Sequence, residues 1–384
     1  MELMKLILEK KEFQARLADV CAVADRKAAM QALTSHFLLD AKTNITTLTA
    51  TDLETTLREL VADALGIGEE GSLCLPAQKL FEIVRMSENC DIRIESIGER
   101  VHVLTGQSKY RLPALPASDF PEFPKVKDAK KMDISAGDLL NLLERTIFAA
   151  AQESLERYTL QGILFHLKRN SKRLTLVGCD GHNLAAASAV LKAVDVKDGK
   201  YILPGRSAKE LQKILSGLDA EANLTVHMGE NLALFQSAEL EFAARLLDGQ
   251  YPDYSKIIPK KNATTVKVAN DSFQRALERM ALVDRTISLA FKKTGIHLSA
   301  QSPDEGEAEE AFQTEGHTGA DVKVCILAAP FLRALKAMGD ASIIIGLTDG
   351  LSPILLQSAQ EGEAANYKCI VMPRREETTA EQSS

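Results

Sequence analysis

The sequence contains no tryptophan, few other aromatic residues and no long apolar run. Its 384 residues include six tyrosines and thirteen phenylalanines. No stretch approaches the roughly 20 apolar residues that a membrane-spanning helix needs. The first twelve residues carry charges where a signal peptide has an apolar centre. These absences argue against a membrane or secreted protein, and we expect the chain to act in the cytoplasm.

Cysteines are also few, and none forms a CxxC pair. The six are scattered along the chain: Cys21, Cys74, Cys90, Cys179, Cys325 and Cys369. This scatter favours buried free thiols in a reducing compartment over a disulfide framework or a metal site. We therefore expect no metal and no cofactor.

Catalytic motifs are missing as well. The glycine-rich stretch Gly66–Gly71 lacks the Lys and Ser/Thr of a phosphate-binding loop, and no HExxH or GxSxG occurs. His182 beside Asp180 has no nucleophile nearby and is typical of a turn histidine. The acidic run Asp304–Glu310 lacks the spacing of a calcium-binding loop and indicates a solvated or ion-pairing edge. Nothing in the sequence predicts an enzyme.

What the chain does contain is a threefold repeat. Three segments share one apolar spacing typical of a helix, namely Phe13–Val23, Ser135–Ala150 and Ala269–Asp284. Three further helices are predicted where a strand runs into a Leu-Pro or Leu-Ala step, at Leu75–Met86, Leu203–Leu215 and Leu327–Met338. These steps recur at nearly equal intervals of about a third of the chain, so whole domains are repeated rather than short solenoid units.

A further marker has the same period. Thr51–Glu54 (TDLE) and Cys179–His182 (CDGH) are separated by the same interval as the first two Leu-Pro steps. Alternating stretches with Gly or Asn turns between the helices predict antiparallel strands. Each repeat is therefore an α+β unit. The charged segment Lys125–Met132 is predicted to be a linker, and the polar tail Glu376–Ser384 is expected to be disordered.

The stretch Arg245–Lys260 is predicted to be a strand, a tight turn at Asp248-Gly249 and an extended apolar arm. An arm this apolar must lie against other residues, since an exposed apolar strip of this length is unfavourable. Leu115–Pro124 has a shorter version of the same pattern one repeat earlier, with Phe120 in the place of Tyr251.

The charges are distributed unevenly. The net charge of −7 excludes a wholly basic nucleic-acid binder but allows one basic face. The three helices after the Leu-Pro or Leu-Ala steps carry only the acids Glu82 and Glu210 against seven basic residues: Lys79, Arg85, Arg206, Lys209, Lys213, Arg333 and Lys336. Such a surface suits a phosphate backbone without base readout. The alternative is that basic residues simply favour the last turns of helices.

With these motifs in order, the sequence resembles the bacterial DNA polymerase III beta subunit family, the sliding clamps. The resemblance runs from residue 1 to about Arg375. Its specific points are TDLE at Thr51–Glu54, LPA at Leu75–Ala77, LPASDFP at Leu115–Pro121, DGH at Asp180–His182, DGQYPDY at Asp248–Tyr254, EAEE at Glu307–Glu310, LTD at Leu347–Asp349 and VMP at Val371–Pro373.

The resemblance implies a non-catalytic DNA sliding clamp that gives processivity to the replicative polymerase. Its expected architecture is a head-to-tail homodimeric ring of three α+β clamp domains per chain, here 1–127, 128–256 and 257–375, followed by the tail 376–384. The expected partners are duplex DNA of any sequence and short linear peptides of the polymerase, clamp loader and repair proteins. A paralogous clamp with altered partners is the alternative within this fold; a repeat-built carbohydrate or nucleotide enzyme has no support in the residues.

The resemblance also implies site residues. A peptide groove is expected at Leu160, Gly181, His182, Leu184, Pro252, Ile257, Leu351, Ile370, Val371, Met372, Pro373 and Arg374. Dimer contacts are expected at Tyr110, Leu112, Leu282, Glu305, Glu307, Glu309 and Glu310. Tyr110 and Leu112 are predicted to point outward from an edge strand at Lys109–Leu112. DNA contacts are expected on the basic helices together with Arg26, Lys27, Arg157 and Tyr158.

The chain departs from the family pattern at three points. No proline follows Arg26 in the stretch Arg26–Leu33, Asn183 replaces an arginine after the DGH motif, and residues continue past Arg375. Cys179 is a further departure. Because it and Asn183 lie in the predicted groove, we expect them to shift its peptide preference.

Overall fold

A computed structural model describes most of the chain. The described residues are 4–24, 32–42, 45–61, 64–97, 100–127, 129–152, 158–168, 170–195, 198–360 and 366–375. The predicted tail 376–384 lies outside them, as do Arg26, Lys27 and Arg157.

One order of elements occurs three times: strand, helix, five strands, helix, three strands. In the first repeat these are β1 Lys5–Leu8, α1 Lys10–Val23, β2 His36–Lys42, β3 Ile45–Thr51, β4 Thr55–Val61, β5 Ala64–Glu69, β6 Gly71–Pro76, α2 Ala77–Met86, β7 Ile92–Ile97, β8 Arg100–Thr105 and β9 Ser108–Pro113, with a short extra strand β10 Leu115–Pro116.

The second repeat contains β11 Lys130–Ser135, α3 Ala136–Glu144, β12 Gly162–Lys168, β13 Arg173–Cys179, β14 Asn183–Val190, β15 Ala193–Asp195, β16 Gly199–Pro204, α4 Gly205–Leu215, β17 Asn223–Met228, β18 Leu232–Gln236 and β19 Leu240–Arg245.

The third repeat contains β20 Thr264–Ala269, α5 Asn270–Met280, β21 Thr286–Lys292, β22 Gly295–Ser302, β23 Gly306–Phe312, β24 Gly316–Thr318, β25 Val322–Leu327, α6 Ala328–Met338, β26 Ser342–Leu347, β27 Ile354–Ser358 and β28 Tyr367–Val371. The predicted repeat and all six predicted helices are therefore present, but α3 ends at Glu144, six residues before its predicted end, and α5 ends at Met280, four residues before its predicted end.

The helices form where the apolar spacing predicted them. Phe13, Leu17 and Val20 are fully buried on one face of α1, which packs against α2. Phe273 and Leu277 of α5, which packs against α6, are buried in the same way. Burying each such side chain contributes about 1.5–3 kcal/mol, so packing rather than helix propensity stabilises these short helices.

The chain separates into two compact units. The first unit comprises residues 1–137, 192–196 and 209–246. It contains a five-stranded sheet of order β5-β1-β7-β8-β9 and a ten-stranded sheet of order β10-β6-β2-β3-β4-β19-β18-β17-β11-β15. In the larger sheet β4 of the first repeat pairs antiparallel with β19 of the second, and we call this pairing the first joint.

The second unit comprises residues 138–191, 197–208 and 247–384. It contains a nine-stranded sheet of order β16-β12-β13-β14-β28-β27-β26-β20-β24 and a four-stranded sheet of order β23-β22-β21-β25. Here β14 of the second repeat pairs antiparallel with β28 of the third, and we call this pairing the second joint. The two joints therefore use equivalent strands.

The TDLE and CDGH markers are one turn used twice. Asp52 Oδ1 accepts backbone N–H groups of Glu54 at 3.1 Å and Thr55 at 2.7 Å. Asp180 Oδ1 accepts the N–H groups two and three residues further on, at 2.9 and 2.6 Å. A short acidic side chain that caps its own turn explains why both motifs contain Asp at this position.

The predicted linker Lys125–Met132 is wrong in its second half. Lys130, Lys131 and Met132 belong to β11, where Met132 is buried and lies opposite Val226 of β17. The charged composition hid this strand, because a single buried methionine between polar neighbours is a weak strand signal.

Candidate interaction sites

The apolar arm after β19 lies in the core of the second unit. Tyr251 is buried in a cluster with Leu164, Val177 and Ile370, and its hydroxyl donates to the carbonyl of Val177 at 3.4 Å. Gly249 adopts φ +121°, which a residue with a side chain rarely takes, so the predicted turn is confirmed. Burial raises the pKa of Tyr251, and its phenol is therefore a neutral donor at physiological pH.

The arm is not extended throughout. Residues Tyr254–Lys256 form one turn of 3-10 helix, begun by Asp253, whose side chain accepts the N–H of Ser255. The hydroxyl of Tyr254 lies 2.8 Å from Nδ1 of His166 on β12, and the two rings meet edge to face. These contacts hold the arm against the sheet of the second joint.

The predicted groove residues separate into a floor and a rim. Leu160, Leu184, Ile370 and Val371 are buried and form the floor, with Leu184 opposite Ile370 in the second joint. The pairing continues past the strand end, where the N–H of Met372 donates to the carbonyl of His182 at 2.8 Å. The structure therefore brings together residues that lie in different repeats.

The rim residues are open to solvent to different degrees. Leu351 is 66% exposed, Met372 is also exposed, and Pro252, Ile257 and Pro373 are half-buried.

The rim also carries polar groups. The backbone N–H of Arg374 donates to the carbonyl of Cys325, and its guanidinium donates to Thr286 Oγ1 at 3.0 Å. A cavity of about 690 Å³ opens beside Pro252 and is lined by residues that include Lys200 and Asp253. Gly181 and His182 lie on the exposed turn between β13 and β14.

Asn183 lies inside the protein rather than on the groove surface. Its side chain is buried and its Nδ2 donates to the carbonyl of Pro330 at 3.2 Å, in the first turn of α6. Next to it, Arg333 pairs with Asp180 at 3.5 Å. The asparagine therefore anchors β14 to α6, a role that sequence reasoning missed because an arginine-to-asparagine difference gives no sign of burial.

Cys179, the other departure in the groove region, is half-buried beside the arm. Burial raises the pKa of its thiol, which makes it a poor nucleophile at neutral pH.

The basic residues of α2, α4 and α6 all lie on exposed helix faces. Several contact acids: Lys79 lies 3.1 Å from Glu82, Lys336 lies 3.2 Å from Glu278, and Lys213 lies 3.6 Å from Asp19. Exposed pairs of this kind contribute at most about 1 kcal/mol, so phosphate groups can compete for the cations. Tyr158 is exposed, and its hydroxyl donates to the carbonyl of Asp248.

Two strands at sheet edges carry most of the predicted dimer residues. β9 ends the five-stranded sheet, and β23 ends the four-stranded sheet. On β23 and the turn before it, Glu305, Glu307 and Glu309 are exposed, whereas Glu310 makes a bidentate pair with Arg279. Leu282, just after α5, is 80% exposed.

The prediction that Tyr110 and Leu112 both point outward is wrong for Leu112. Tyr110 is 38% exposed, but Leu112 is buried opposite Val101 in its own unit. The two residues share one face of β9, and only the part near Tyr110 is left uncovered. Met86, the last residue of α2, is also exposed, to 79%, which the sequence did not predict.

Within the described ranges, no group of three or more His, Cys, Asp or Glu residues is placed to hold a metal ion. Likewise, none of the helices described has the length and apolarity required to span a membrane.

Three α+β repeats joined edge to edge, with basic residues on the second helix of each, define a clamp-type protein. Models of the DNA polymerase III beta subunit match nearly the whole chain: the N-terminal domain at residues 4–124, the central domain at 133–253 and the C-terminal domain at 255–375.

Curated relatives and solved structures agree with these matches. The beta sliding clamp of Vibrio cholerae is 27% identical over 377 residues, and that of Escherichia coli K12 is 28% identical over 379 residues, each match covering 97% of this chain and 100% of the relative. A Pseudomonas aeruginosa sliding clamp bound to griselimycin superposes with a TM-score of 0.90 at 27% identity, covering 97% of this chain and 100% of the other. The Bacillus subtilis clamp has the same fold, with a TM-score of 0.88 at 24% identity and the same coverage.

The chain therefore belongs to the DNA polymerase III beta subunit family. It is a sliding clamp of DNA replication, a processivity subunit without catalytic activity of its own.

Proposed function

We propose that two copies of this chain pair head to tail into a ring around duplex DNA. The observation that carries this proposal is that the same two strand edges of the repeat pair with each other in both joints. In each, the strand after the Asp-capped turn of one repeat (β4 or β14) pairs with the last strand of the next repeat (β19 or β28). In the third repeat the counterpart of β4 and β14 is β23, and in the first repeat the counterpart of β19 and β28 is β9. Both β23 and β9 lie at sheet edges.

The two joints share one register. Arg58 on β4 lies opposite Glu241 on β19 in the first joint, and Ala186 on β14 lies opposite Lys368 on β28 in the second. Each pair is reached from both sides by the same path, which begins at the third residue before a helix and passes from each residue to the one opposite it on the next strand. The path begins before α2 or α4 on one side and before α3 or α5 on the other. The path can therefore be applied to the two free edges.

The same path on the free edges predicts which residues meet. From Cys325, three residues before α6, it leads through Ser288 and Ser299 to Glu309 on β23. On the other edge, the path begins on β1 at Ile7, three residues before α1, and passes across β7 and β8 to Lys109 on β9. We therefore propose that Glu309 of one protomer lies opposite Lys109 of its partner.

The charges of the two edges are complementary in this register. Lys109 and Arg111 are exposed on β9, and Glu307 and Glu309 are exposed on β23. A register that puts Lys109 opposite Glu309 also puts Arg111 opposite Glu307, since antiparallel strands run in opposite directions. Opposite charges along an interface rim steer assembly and disfavour incorrect pairs.

Apolar surface lies close to both edges. Tyr110 on β9 is exposed although its neighbour on the same face is buried, and Leu282 after α5 is exposed almost completely. A solvated edge would not need such side chains, whereas an interface between protomers would cover them.

The ring would hold DNA by topology, through contacts that carry no base preference. Its DNA-facing residues would be the exposed cations of α2, α4 and α6, together with Arg26, Lys27, Arg157 and Tyr158. Weak, distributed phosphate contacts allow a ring to slide.

The second joint would dock short linear peptides of the polymerase, clamp loader and repair proteins. Its buried aliphatic floor and the exposed Leu351 and Met372 suit leucine and phenylalanine anchors, and a methionine adapts its shape to different ligands. The exposed cation Lys256, which lies 3.7 Å from Asp253, is placed to attract acidic peptide groups at the rim.

Retention on DNA tests the ring. Loaded onto nicked circular DNA, the protein should stay bound during gel filtration and should be lost after the circle is cut at one site. In sedimentation its mass should be twice that of a single chain. Equal loss from circular and linear DNA, or a monomer at micromolar concentration, would contradict the proposal.

A further inference from the structure

The two joints have the same register but different chemistry. In each joint, one residue from each of five neighbouring strands lies directly opposite the next, and we call this set a row. Each row begins with leucine and ends with glutamine. In the first joint the row is Leu38, Thr49, Arg58, Glu241 and Gln236. In the second joint it is Leu164, Val177, Ala186, Lys368 and Gln357. Where the second row has valine and alanine, the first row therefore has a hydroxyl and a guanidinium.

Each joint is covered by an arm of its own that carries a buried aromatic residue. Phe120 is buried at the first joint as Tyr251 is at the second, which explains why Leu115–Pro124 and Arg245–Lys260 share a sequence pattern. Beside Phe120 lies a cavity of about 610 Å³, whose walls include Leu38, Phe123, Pro124 and Leu234. The first joint thus has the shape and the apolar walls of a ligand groove.

Arg58 is one of the residues that line this groove. Its guanidinium lies 3.0 Å from the carboxylate of Glu241, and its Nε donates to Thr49 Oγ1 at 3.3 Å. The guanidinium carbon lies 4.5 Å from the centre of the Phe123 ring, within the range of a cation–π contact. Ala186, at the same position of the second joint, is part of an apolar cluster.

We propose that the first joint is a second copy of the peptide groove and that Arg58 closes it to apolar peptides. The inference rests on the proposed peptide docking at the second joint. A leucine or phenylalanine anchor entering the first joint would take Arg58 and Glu241 out of water without supplying new hydrogen bonds, which is unfavourable. In the second joint the corresponding residues, Ala186 and Val177, are apolar and belong to the same buried cluster as Leu184 of the groove floor, so an anchor there would meet no guanidinium. Arg58 is therefore a specificity-determining residue that limits each chain to one apolar peptide.

Calorimetry with the synthetic peptide Gln-Ala-Ala-Leu-Phe tests this inference by stoichiometry. The wild-type chain should bind one peptide. Arg58→Ala combined with Thr49→Val copies the second joint at both positions, and Glu241 retains the hydrogen bond that Gln236 donates at 3.1 Å. This variant should bind two peptides, with dissociation constants within about tenfold of each other. Arg58→Lys, which keeps the charge, is the matched control and should still bind one.

Leu351→Ala with Met372→Ala separates this inference from the proposed function. In the wild-type background this pair should abolish binding; if one peptide still binds at wild-type affinity, the proposed docking site is wrong. In the Arg58→Ala, Thr49→Val background it should leave one site, at the first joint.

A folded Arg58→Ala, Thr49→Val variant that binds a single peptide would overturn the inference and leave the second joint intact as the docking site. If that variant does not fold, Arg58→Met retains the packing of the aliphatic stem and removes the guanidinium. Circular dichroism identifies the folded variant, which should bind two peptides; a single peptide would again overturn the inference.

Discussion

Glu59 shows how much a single buried residue contributes in this fold. It lies on β4 beneath α1 and is fully buried, with one carboxylate oxygen 3.3 Å from Arg16. Its other oxygen has no hydrogen-bond partner among the described residues. Burial, assisted by the negative charge of Asp19, raises the pKa of Glu59 to about 8 despite the attraction of Arg16.

This raised pKa predicts a pH-dependent stability. The folded protein keeps the proton on Glu59 up to about pH 8, whereas the unfolded carboxyl releases it near pH 4.5. The folded state therefore binds more protons between these values, and the free energy of unfolding falls as the pH rises through this window. Glu59→Gln should remove this slope and raise stability at pH 9 relative to wild type by about 1–3 kcal/mol, measured by urea unfolding.

The control for Glu59 is Glu239→Gln, which removes a half-exposed carboxylate 3.4 Å from the same arginine. It should leave the pH slope unchanged. A wild-type stability that is flat from pH 5 to 8 would show that Glu59 is ionised in the folded protein.

At the scale of the element, the second helix of each repeat combines two roles along two faces. One face of α4 is buried through Leu211, Ile214 and Leu215, and the other carries Lys209 and Lys213 to solvent. Lys213 also donates to a main-chain carbonyl of α1 at 3.0 Å. The sequence predicted both faces, because helical spacing alone separates them.

Charge reversal on α4 tests the DNA-facing role. Lys209→Glu should weaken retention on DNA equally for any base sequence and lower the salt dependence by about one counterion, because one phosphate contact is lost. Lys209→Glu with Lys213→Glu should double the effect, with some loss of stability because Lys213 contacts α1. Fluorescence anisotropy over a range of salt concentrations measures DNA binding, and urea unfolding measures stability.

Lys293→Glu, an exposed change in the β21–β22 turn, is the control for this series. An equal effect from Lys293 would mean that overall charge, rather than the basic helices, determines DNA binding. A base preference in the wild type would also contradict the assignment, since phosphate contacts carry no sequence information.

For the whole molecule, the register carried over from the joints predicts a specific cross-link. Lys109→Cys with Glu309→Cys places two thiols opposite each other on β9 and β23 of different protomers. Under mild oxidation this pair should give a covalent dimer on a non-reducing gel, because directly opposed strand positions bring Cβ atoms to about 4.5–5.5 Å, close to the roughly 3.5–4.5 Å that a disulfide bond spans. Each single variant should stay monomeric on the gel.

Lys109→Cys with Ala308→Cys is the matched control, since residue 308 points to the opposite face of the sheet. If the control cross-links and the first pair does not, the register is shifted by one residue. If neither cross-links although the protein sediments as a dimer, the dimer uses other edges.

Local signals predicted much of this fold and part of its site. The six helices, the Asp-capped turns and the turn at Gly249 depend on residues close in sequence, so spacing and turn chemistry were sufficient. Other features were predicted incorrectly or missed, because their burial is set by partners on other strands or in other repeats. Leu112 is covered opposite Val101 on β8, and Asn183 contacts Pro330 in the third repeat. The strand at Lys130–Met132 pairs with β17, where Met132 lies opposite Val226.

By itself, the sequence determined that three similar α+β units follow one another, where their helices start, and which helices carry the cations. These properties follow from periodicity within single helices and strands. Only the tertiary structure decided that β4 pairs with β19 and β14 with β28, and hence that Arg58 faces Glu241 while Ala186 faces Lys368. The partners in these joints belong to different repeats, and register between distant strands is set by the packing of whole sheets. A one-residue slip would turn every side chain of the strand to the other face, so no local pattern encodes that choice.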